Sequence, residues 1–453
     1  MESIVQRRYI NEKFRKEIIV SSEKLVKPEK TLIWFRQWYE EGIEVKNVKV
    51  PIDLLRFRRD NGRLSTDVIS YEKEYQFEIN ETTDDGQNTL RKLLTRKNKR
   101  KTDELKLSIQ NFGQQEPAVI TCDGFLINGN RRKLAFEQLS DETGKTKYDF
   151  LKVVILPGPN DKLGPPPTQI EIEKVENYYQ FIKTGKAEYT DFDKALSMRR
   201  KNEMGYSYRS QVIDEYGNIG LSTKQINKKV TDEVNKYIKV LELIDYYLEY
   251  FDYPSMYNLV SDRWESFLDL NKRLWMKFDS PRSLVSMGIK KDEVGKVQDV
   301  CLKLLRAKEL PRMGRFNDFV RTIPKLLKTY NSKKELLKIS ALPQNIDDMT
   351  GLTPKEIDVE WRKDNQEDII HHVVRSTEYL DTKKSLEKPI KLLNDVLNIL
   401  KRDTLDPDRN DNEKHLDCVD LCRDIISESE ILKIKFWDSH KKWEKFLKTH
   451  DNN

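Results

Sequence analysis

One stretch of this chain, residues 102–139, constrains its fold more than any other. It reads TDELKLSIQNFGQQEPAVITCDGFLINGNRRKLAFEQL. The pattern predicts a helix that ends at Gly113, a strand after Pro117, a tight turn at Asp123-Gly124, a return strand and a second helix. A glycine, an asparagine and two arginines open that second helix, at residues 129–132. Because a helix start has free N–H groups and a partial positive charge, this segment predicts an anion site that suits a phosphate.

Length and composition limit the class of protein. A chain of 453 residues exceeds one ordinary core, so we expect roughly two to four domains. Hydrophobic residues make up 37% and charged residues 35%, which favours packed cores with many solvated helices. The net charge of +6, from 82 basic and 76 acidic residues, permits local nucleic-acid binding without requiring it.

The cellular setting follows from what the sequence lacks. Four cysteines in this length do not make a disulfide framework. No apolar run approaches the roughly 20 residues of a membrane span, and the first residues lack the apolar core of a signal peptide. We therefore expect a cytoplasmic protein with no membrane partner.

Periodicity divides the chain into four predicted segments. Residues 1–45 predict an N-terminal helical segment, and residues 46–160 hold the central stretch with its strands. Residues 161–255 predict a helical domain, and residues 256–453 predict a helical C-terminal region. The predicted fold class is α+β, a small mixed-sheet domain followed by helical domains.

A dense basic cluster precedes the central stretch at residues 91–101. One interpretation is a solvated linker, and the other is contact with the phosphate backbone of DNA. The candidate DNA-backbone residues are Arg96, Lys97, Lys99, Arg100 and Lys101.

Residues 221–251 match a helix-turn-helix in length, with the turn expected at Thr231-Asp232. The expected recognition helix would begin with Asp232 and Glu233, whose carboxylates would face DNA phosphates unfavourably. A packing role for this pair of helices is therefore as well supported as base reading.

In their order, these motifs resemble the N-terminal domain of the ParB family, within the wider ParB/sulfiredoxin superfamily. The shared features are Gly113, Pro117, the Asp123-Gly124 turn and the Gly-x-Arg-Arg helix start at residues 129–132. Downstream, Glu176-Asn177 stands where the family has a Glu-Asn motif on its next helix. Upstream, VPIDLL at residues 50–55 resembles the family's first strand. The resemblance covers residues 46–240.

The resemblance implies binding of a nucleoside triphosphate, CTP or ATP, with Mg²⁺. The residues that would hold the phosphates are Gly129, Asn130, Arg131 and Arg132. Asn177 would contact the metal, and Glu176 would act catalytically by supporting hydrolysis. Amide and carboxylate oxygens are suitable ligands for Mg²⁺, and two guanidinium groups offset the charge of the phosphates.

Two features depart from the family pattern. The family usually continues its Glu-Asn motif into Gln-Arg, whereas Tyr179 and Gln180 stand here, so one cation is missing. Position 130 is Asn where sulfiredoxins carry a reactive cysteine, and Cys122 lies in the hairpin instead. This arrangement argues against sulfiredoxin chemistry.

Three functions remain open from the sequence. The first is a ParB-like, nucleotide-dependent switch associated with DNA, whose helical C-terminal half supplies homodimer or partner contacts. The second is a DNA nicking nuclease of the same superfamily, in a mobile-element or phage-defence setting. The third is a non-enzymatic interaction protein with a vestigial pocket. The sequence leaves open whether the chain is a weak nucleoside triphosphatase or a nuclease.

Overall fold

The computed structural model describes residues 9–33, 42–97, 99–179, 190–216, 222–310, 314–401 and 415–450. The strands are β1 (Glu23–Lys24), β2 (Lys30–Ile33), β3 (Ile43–Lys46), β4 (Val48–Pro51), β5 (Ala118–Ile120), β6 (Leu126–Asn128), β7 (Phe150–Ile155), β8 (Glu309–Leu310) and β9 (Gly314–Arg315). The α-helices are α1 (Glu12–Ser21), α2 (Ser65–Tyr75), α3 (Asp84–Lys97), α4 (Lys99–Phe112), α5 (Asn130–Thr143), α6 (Gln169–Asn177), α7 (Asp191–Glu203), α8 (Tyr208–Tyr216), α9 (Thr223–Glu233), α10 (Lys239–Tyr250), α11 (Trp264–Arg273), α12 (Pro281–Met287), α13 (Val294–Ala307), α14 (Phe316–Val320), α15 (Ile323–Leu327), α16 (Tyr330–Leu336), α17 (Pro354–Leu400) and α18 (His415–His450).

The chain is of the α+β class, with a small mixed sheet and many helices. Five strands form the sheet in the order β1-β4-β7-β5-β6. Strands β5 and β7 run parallel, and the other pairs are antiparallel. The sheet begins at β1, within residues 1–45, where we expected only helix. The chain forms two compact units, residues 1–377 and residues 378–453.

Apolar side chains cover both faces of the sheet. On one face, Ala118 and Ile120 belong to a core that includes Leu134 on α5. On the other face, Val119 packs in a second core with Ile172 on α6. Strands buried on both faces read as continuous apolar runs, which explains the unbroken Ala-Val-Ile of β5.

The pair of helices expected around residue 231 is not divided where the sequence suggested. Thr231 and Asp232 both lie inside α9, and a single π-helical turn, Val234–Ile238, joins α9 to α10. The prediction of a turn there is therefore wrong. Residues 223–250 contain no glycine or proline to stop the helix, and the π turn buries Tyr237 and Ile238.

A further core holds the helices that follow α10. Arg306 is fully buried, and its Nε donates to Oδ1 of Asp358 at 2.7 Å. Its guanidinium also lies over the rings of Phe251 and Trp361, which gives this buried charge both an ionic and a cation–π partner. In the described part of the chain, no helix combines the length and apolarity needed to cross a membrane.

Candidate anion-binding site

Gly129 sets the start of α5 against the sheet. Its φ is +102°, a conformation that residues with a side chain rarely adopt. A Cβ at this position would lie 2.6 Å from Cβ of Ala118 on β5, which is a steric clash. Only glycine therefore lets the chain leave β6 and enter α5 at this distance from β5.

The start of α5 is available to a ligand. No side chain caps Gly129, and the first turn of α5 contains no acidic residue. The N–H groups of a helix's first turn have no partner within the helix. This end of α5 therefore offers hydrogen-bond donors and a partial positive charge that no acidic side chain of its own first turn offsets.

A cavity of about 380 Å³ lies at this end of α5. It is lined by four basic residues, two acidic residues and five others: Arg63, Lys101, Arg131, Arg132; Glu104, Glu116; Leu105, Asn128, Gly129, Asn130 and Tyr179. Four positive and two negative groups leave a formal charge of +2 on the lining. The cavity therefore favours an anion that carries several charges.

Arg132 is the most distinctive member of the lining. Its Nη1 atom is buried and has no hydrogen-bond partner among the residues that the structure describes. Asn130 is only 6% exposed, and its Oδ1 is buried without such a partner as well. Burial lowers the pKa of the Arg132 guanidinium, Glu116 opposes this shift, and Arg63 adds to it. A bound anion would relieve the cost of burying this charge.

The structure places all four of the predicted phosphate residues at one cavity. All four, Gly129 through Arg132, line the cavity. Lys101, which we predicted as a DNA contact, lines it too. Arg63 and Tyr179 were not predicted to line it, and Tyr179 has its pKa raised by burial. The only available signal for Arg63 was its place in the polar bend RRDNGR, residues 58–63.

Glu176 lies elsewhere, in a buried ionic network. Its side chain is 1% exposed, and its Oε2 accepts from Nη2 of Arg58 at 2.9 Å. Its Oε1 accepts from the N–H of Gly62 at 3.0 Å. Glu176 is not part of the cavity lining. The side chain of Asn177 and the whole of Gln180 lie outside the described residues, so the predicted metal contact stays a prediction.

A second carboxylate and two further cations complete this network. Oε1 of Glu173 accepts from Nη2 of Arg200 at 2.8 Å and from Nη2 of Arg58 at 3.4 Å. Burial disfavours the charge on Arg58, but Glu176, Glu173 and Asp60 together outweigh burial and raise its pKa. Burial lowers the pKa of the neighbouring Lys201 to about 8, against the attraction of Glu173. The network joins the bend at residues 58–62 to α6 and α7.

The basic cluster divides into inward-facing and outward-facing residues. Lys97 bridges two carboxylates, 2.9 Å from Oδ2 of Asp67 and 3.0 Å from Oδ2 of Asp193. Arg96, Lys99 and Arg100 are exposed to solvent. The cluster is therefore not a linker but the meeting of α3 and α4. Arg96 and Lys99 are left for a partner, whereas Nε of Arg100 donates to Oε1 of Glu104 at 3.0 Å. The two helices also place Lys101 at the cavity.

Comparison of the chain with family models, with curated proteins and with solved structures finds no match. The resemblance to the ParB family therefore stays a prediction from the order of the sequence motifs.

Proposed function

We propose that this chain is a ParB-like, DNA-associated protein that binds a nucleoside triphosphate, CTP or ATP, in the cavity beside α5. The observation that carries the proposal is the buried Nη1 of Arg132, which lacks a hydrogen-bond partner among the described residues. A phosphate oxygen would supply that partner through a charge-assisted hydrogen bond. The uncapped N-terminus of α5 would add backbone donors to the same anion.

The size and charge of the cavity support a polyphosphate. A volume of about 380 Å³ is within the usual range for small-molecule sites, roughly 300–1,000 Å³. A triphosphate needs more positive charge than the net +2 of the lining supplies, and Mg²⁺ would make up the difference. Two carboxylates, those of Glu104 and Glu116, line the cavity and provide the hard oxygens that suit Mg²⁺. Glu104 also accepts a hydrogen bond from Nε of Arg100 at 3.0 Å.

Glu176 takes a different role in this proposal from the one that the family resemblance implied. Both oxygens of its carboxylate accept hydrogen bonds inside the protein, and its side chain is 1% exposed. We assign it as a positioning residue that holds the bend containing Arg63, which contributes to the cavity. Any hydrolysis would then depend on Glu176 through the shape of the site.

The lining supports a switch because it comes from separate parts of the chain. Arg63 precedes α2, Lys101 is on α4, Arg131 is on α5 and Tyr179 follows α6. A ligand that contacts all four stabilises the arrangement in which they are close. The exposed Arg96, Lys99 and Arg100 lie next to Lys101 in sequence, so nucleotide and DNA would act on neighbouring surfaces.

We propose α8 and α9, rather than α9 and α10, as the helix-turn-helix. These helices pack against each other, and Nζ of Lys229 on α9 lies 4.0 Å from the ring centroid of Tyr216 on α8. Their connection, residues 217–221, lies outside the described range. The nicking alternative is less favoured, because Glu173 and Glu176 are both held by arginines and buried.

Calorimetric titration with CTP, ATP and GTP, each with Mg²⁺, tests the proposal on the full chain. We expect one site per chain for at least one nucleotide, and a large loss of affinity in Arg131→Ala. A vestigial pocket predicts no heat of binding with any of the three. A plasmid-nicking assay with Mg²⁺ or Mn²⁺ should give no cleavage, and cleavage that Glu176→Ala abolishes would favour the nuclease instead.

A further inference from the structure

Two adjacent histidines on α17 meet a buried carboxylate on α16. Glu335 is 7% exposed, and its Oε1 lies 2.9 Å from Nδ1 of His372. The neighbouring His371 is exposed to solvent. One donor atom from each of these three side chains lies within 4.8 Å of the donor atoms of the other two. Across the described residues, no other set of three or more histidine, cysteine, aspartate or glutamate side chains converges in this way.

The three side chains form a donor set that suits zinc. Two imidazoles and one carboxylate hold the ion in one class of zinc site, where a water molecule takes the fourth position. Zinc bonds of about 2.0–2.2 Å place two donor atoms of a tetrahedral site roughly 3.4 Å apart. The donor atoms here are at most 4.8 Å apart, so shifts of about 1.4 Å or less bring them to that spacing. The pair at 2.9 Å would open by about 0.5 Å as the ion replaces the proton between its two atoms.

Hydrogen bonds one turn away hold together the two helices that carry these side chains. Oγ of Ser332 donates to the carbonyl of Ser376 at 2.8 Å, and Oγ of Ser376 donates to the carbonyl of Ser332 at 2.8 Å. Both serines are fully buried. Ser332 precedes Glu335 by three positions on α16. Ser376 follows His372 by four positions on α17, so each serine lies one turn from the donor set. The backbone supports of the three side chains are therefore fixed, as a metal site requires.

Charged residues around the donor set orient its carboxylate. Nζ of Lys338 lies 2.8 Å from Oε2 of Glu335, which leaves Oε1 toward His372. Carboxylates that bind metals are commonly hydrogen-bonded in their turn. The positive charge of the half-exposed Lys338 opposes that of an ion. Asp368 precedes His371 by three positions and His372 by four, so its negative charge lies on the same side of α17 and offsets that of Lys338.

We propose that Glu335, His371 and His372 bind a zinc ion, with a water molecule in the fourth position. Imidazole nitrogens suit Zn²⁺, whereas Mg²⁺ prefers oxygen ligands. None of the three residues lines the cavity beside α5, so the zinc site is separate from the nucleotide site and does not depend on it. The ion would link α16 to α17 within residues 1–377. A hydrogen bond alone needs only Glu335 and His372, whereas zinc binding also needs His371.

Equilibrium dialysis of the full chain against Zn²⁺, with the bound metal counted by mass spectrometry, tests the site. Thiolates bind zinc by themselves, and Cys418 and Cys422 are exposed, so every protein in the test carries Cys418→Ser/Cys422→Ser. We expect one zinc ion per chain of this parent protein. His371→Ala should weaken zinc binding at least about tenfold. Because His371 is exposed, this substitution should leave the fold intact.

Two further variants make the result specific. Glu335→Gln keeps the size of the side chain and an oxygen for the hydrogen bond with His372, but it removes the charge, so it should also weaken zinc binding at least about tenfold. His440→Ala removes an exposed histidine of α18 and should bind zinc as the parent protein does. A parent protein that binds no zinc would overturn the proposal, as would zinc binding that either His371→Ala or Glu335→Gln leaves unchanged.

X-ray absorption at the zinc edge identifies the ligands in the parent protein. We expect nitrogen and oxygen donors at about 2.0–2.2 Å, with the scattering pattern of imidazole rings. A spectrum without imidazole would place the ion elsewhere and refute the assignment. Arg132→Ala should bind zinc as the parent protein does, and zinc-free protein can be titrated with nucleotide separately. Failure of the zinc site and failure of the nucleotide site are therefore distinguishable.

Discussion

Arg58 and Glu176 form a buried ion pair, with 2.9 Å between Nη2 and Oε2 and no more than 2% exposure of either residue. Breaking a buried pair is strongly destabilising because one charge stays buried without its partner. We expect Glu176→Gln to lower the free energy of unfolding by roughly 3 kcal/mol. Urea denaturation followed by circular dichroism measures this change.

Glu44 provides the matched control for Glu176. It pairs with Lys30 at 2.8 Å, but both side chains are more than half exposed. Glu44→Gln should change stability by less than about 1 kcal/mol, as is usual for surface pairs. Equal effects of the two substitutions would contradict the structural role assigned to Glu176.

Alanine substitutions at two glycines of the central stretch distinguish the cost of backbone strain from the cost of a steric clash. Gly129 and Gly113 both have positive φ, at +102° and +70°. A Cβ at Gly113 meets no atom within 4 Å, whereas one at Gly129 clashes with Ala118. We expect Gly113→Ala to cost about 1 kcal/mol and Gly129→Ala several kcal/mol. Thermal unfolding of both variants measures these costs. A smaller loss of stability for Gly129→Ala than for Gly113→Ala would be inconsistent with the packing of α5 on β5.

The lowered pKa of Lys201 leads us to expect that stability depends on pH. Its pKa is about 8 in the folded chain, below the ordinary value of about 10.4. Between these pH values, the unfolded chain binds the proton that the folded chain has lost. The free energy of unfolding therefore rises with pH across this window, by roughly 3 kcal/mol in total.

Comparison with Lys201→Met isolates this contribution. The stability of wild type relative to Lys201→Met should increase from pH 8 to pH 10.5 in chemical denaturation. Lys92→Met, a substitution at an exposed lysine, should show no such trend. A difference between wild type and Lys201→Met that stays constant with pH would show that Lys201 is not buried as a charge.

The exposed cations of the basic cluster predict salt-dependent DNA binding. Replacing Arg96, Lys99 and Arg100 by alanine should weaken binding to any duplex. It should also reduce the slope of log affinity against log salt concentration by about 3. Fluorescence anisotropy at several salt concentrations measures both quantities. Alanine at Lys145, Lys162 and Lys272, which are exposed elsewhere, should leave the slope unchanged. Equal losses from the two sets would mean that net charge alone is responsible.

The central stretch could be predicted because its turn and helix-end signals act locally. Gly113, Pro117 and the Asp123-Gly124 turn act on their immediate neighbours, and they placed β5, β6 and the start of α5 correctly. The start of α4, in contrast, lies at Lys99, before the central stretch begins. No strong breaker marks that position, because lysine and arginine continue a helix readily.

The ionic network could not be predicted because its members are distant in sequence. Arg58 and Glu176 are 118 positions apart, and no sequence motif connects the two. The family resemblance directed attention to Glu176 as a catalytic group, whereas the fold places it against Arg58. The inward turn of Lys97 depends in the same way on Asp67 and Asp193, which only the packing of α2 and α7 brings together.

The most direct test of the nucleotide site compares Arg132→Ala with Arg96→Ala by titration calorimetry, with inorganic triphosphate and Mg²⁺-nucleotide as ligands. Arg96 is an exposed arginine that is not part of the cavity lining, so it controls for the loss of one positive charge. We predict that wild type and Arg96→Ala bind alike and that Arg132→Ala loses roughly tenfold to a hundredfold in affinity. Binding that Arg132→Ala leaves intact, or no binding by wild type, would contradict the account.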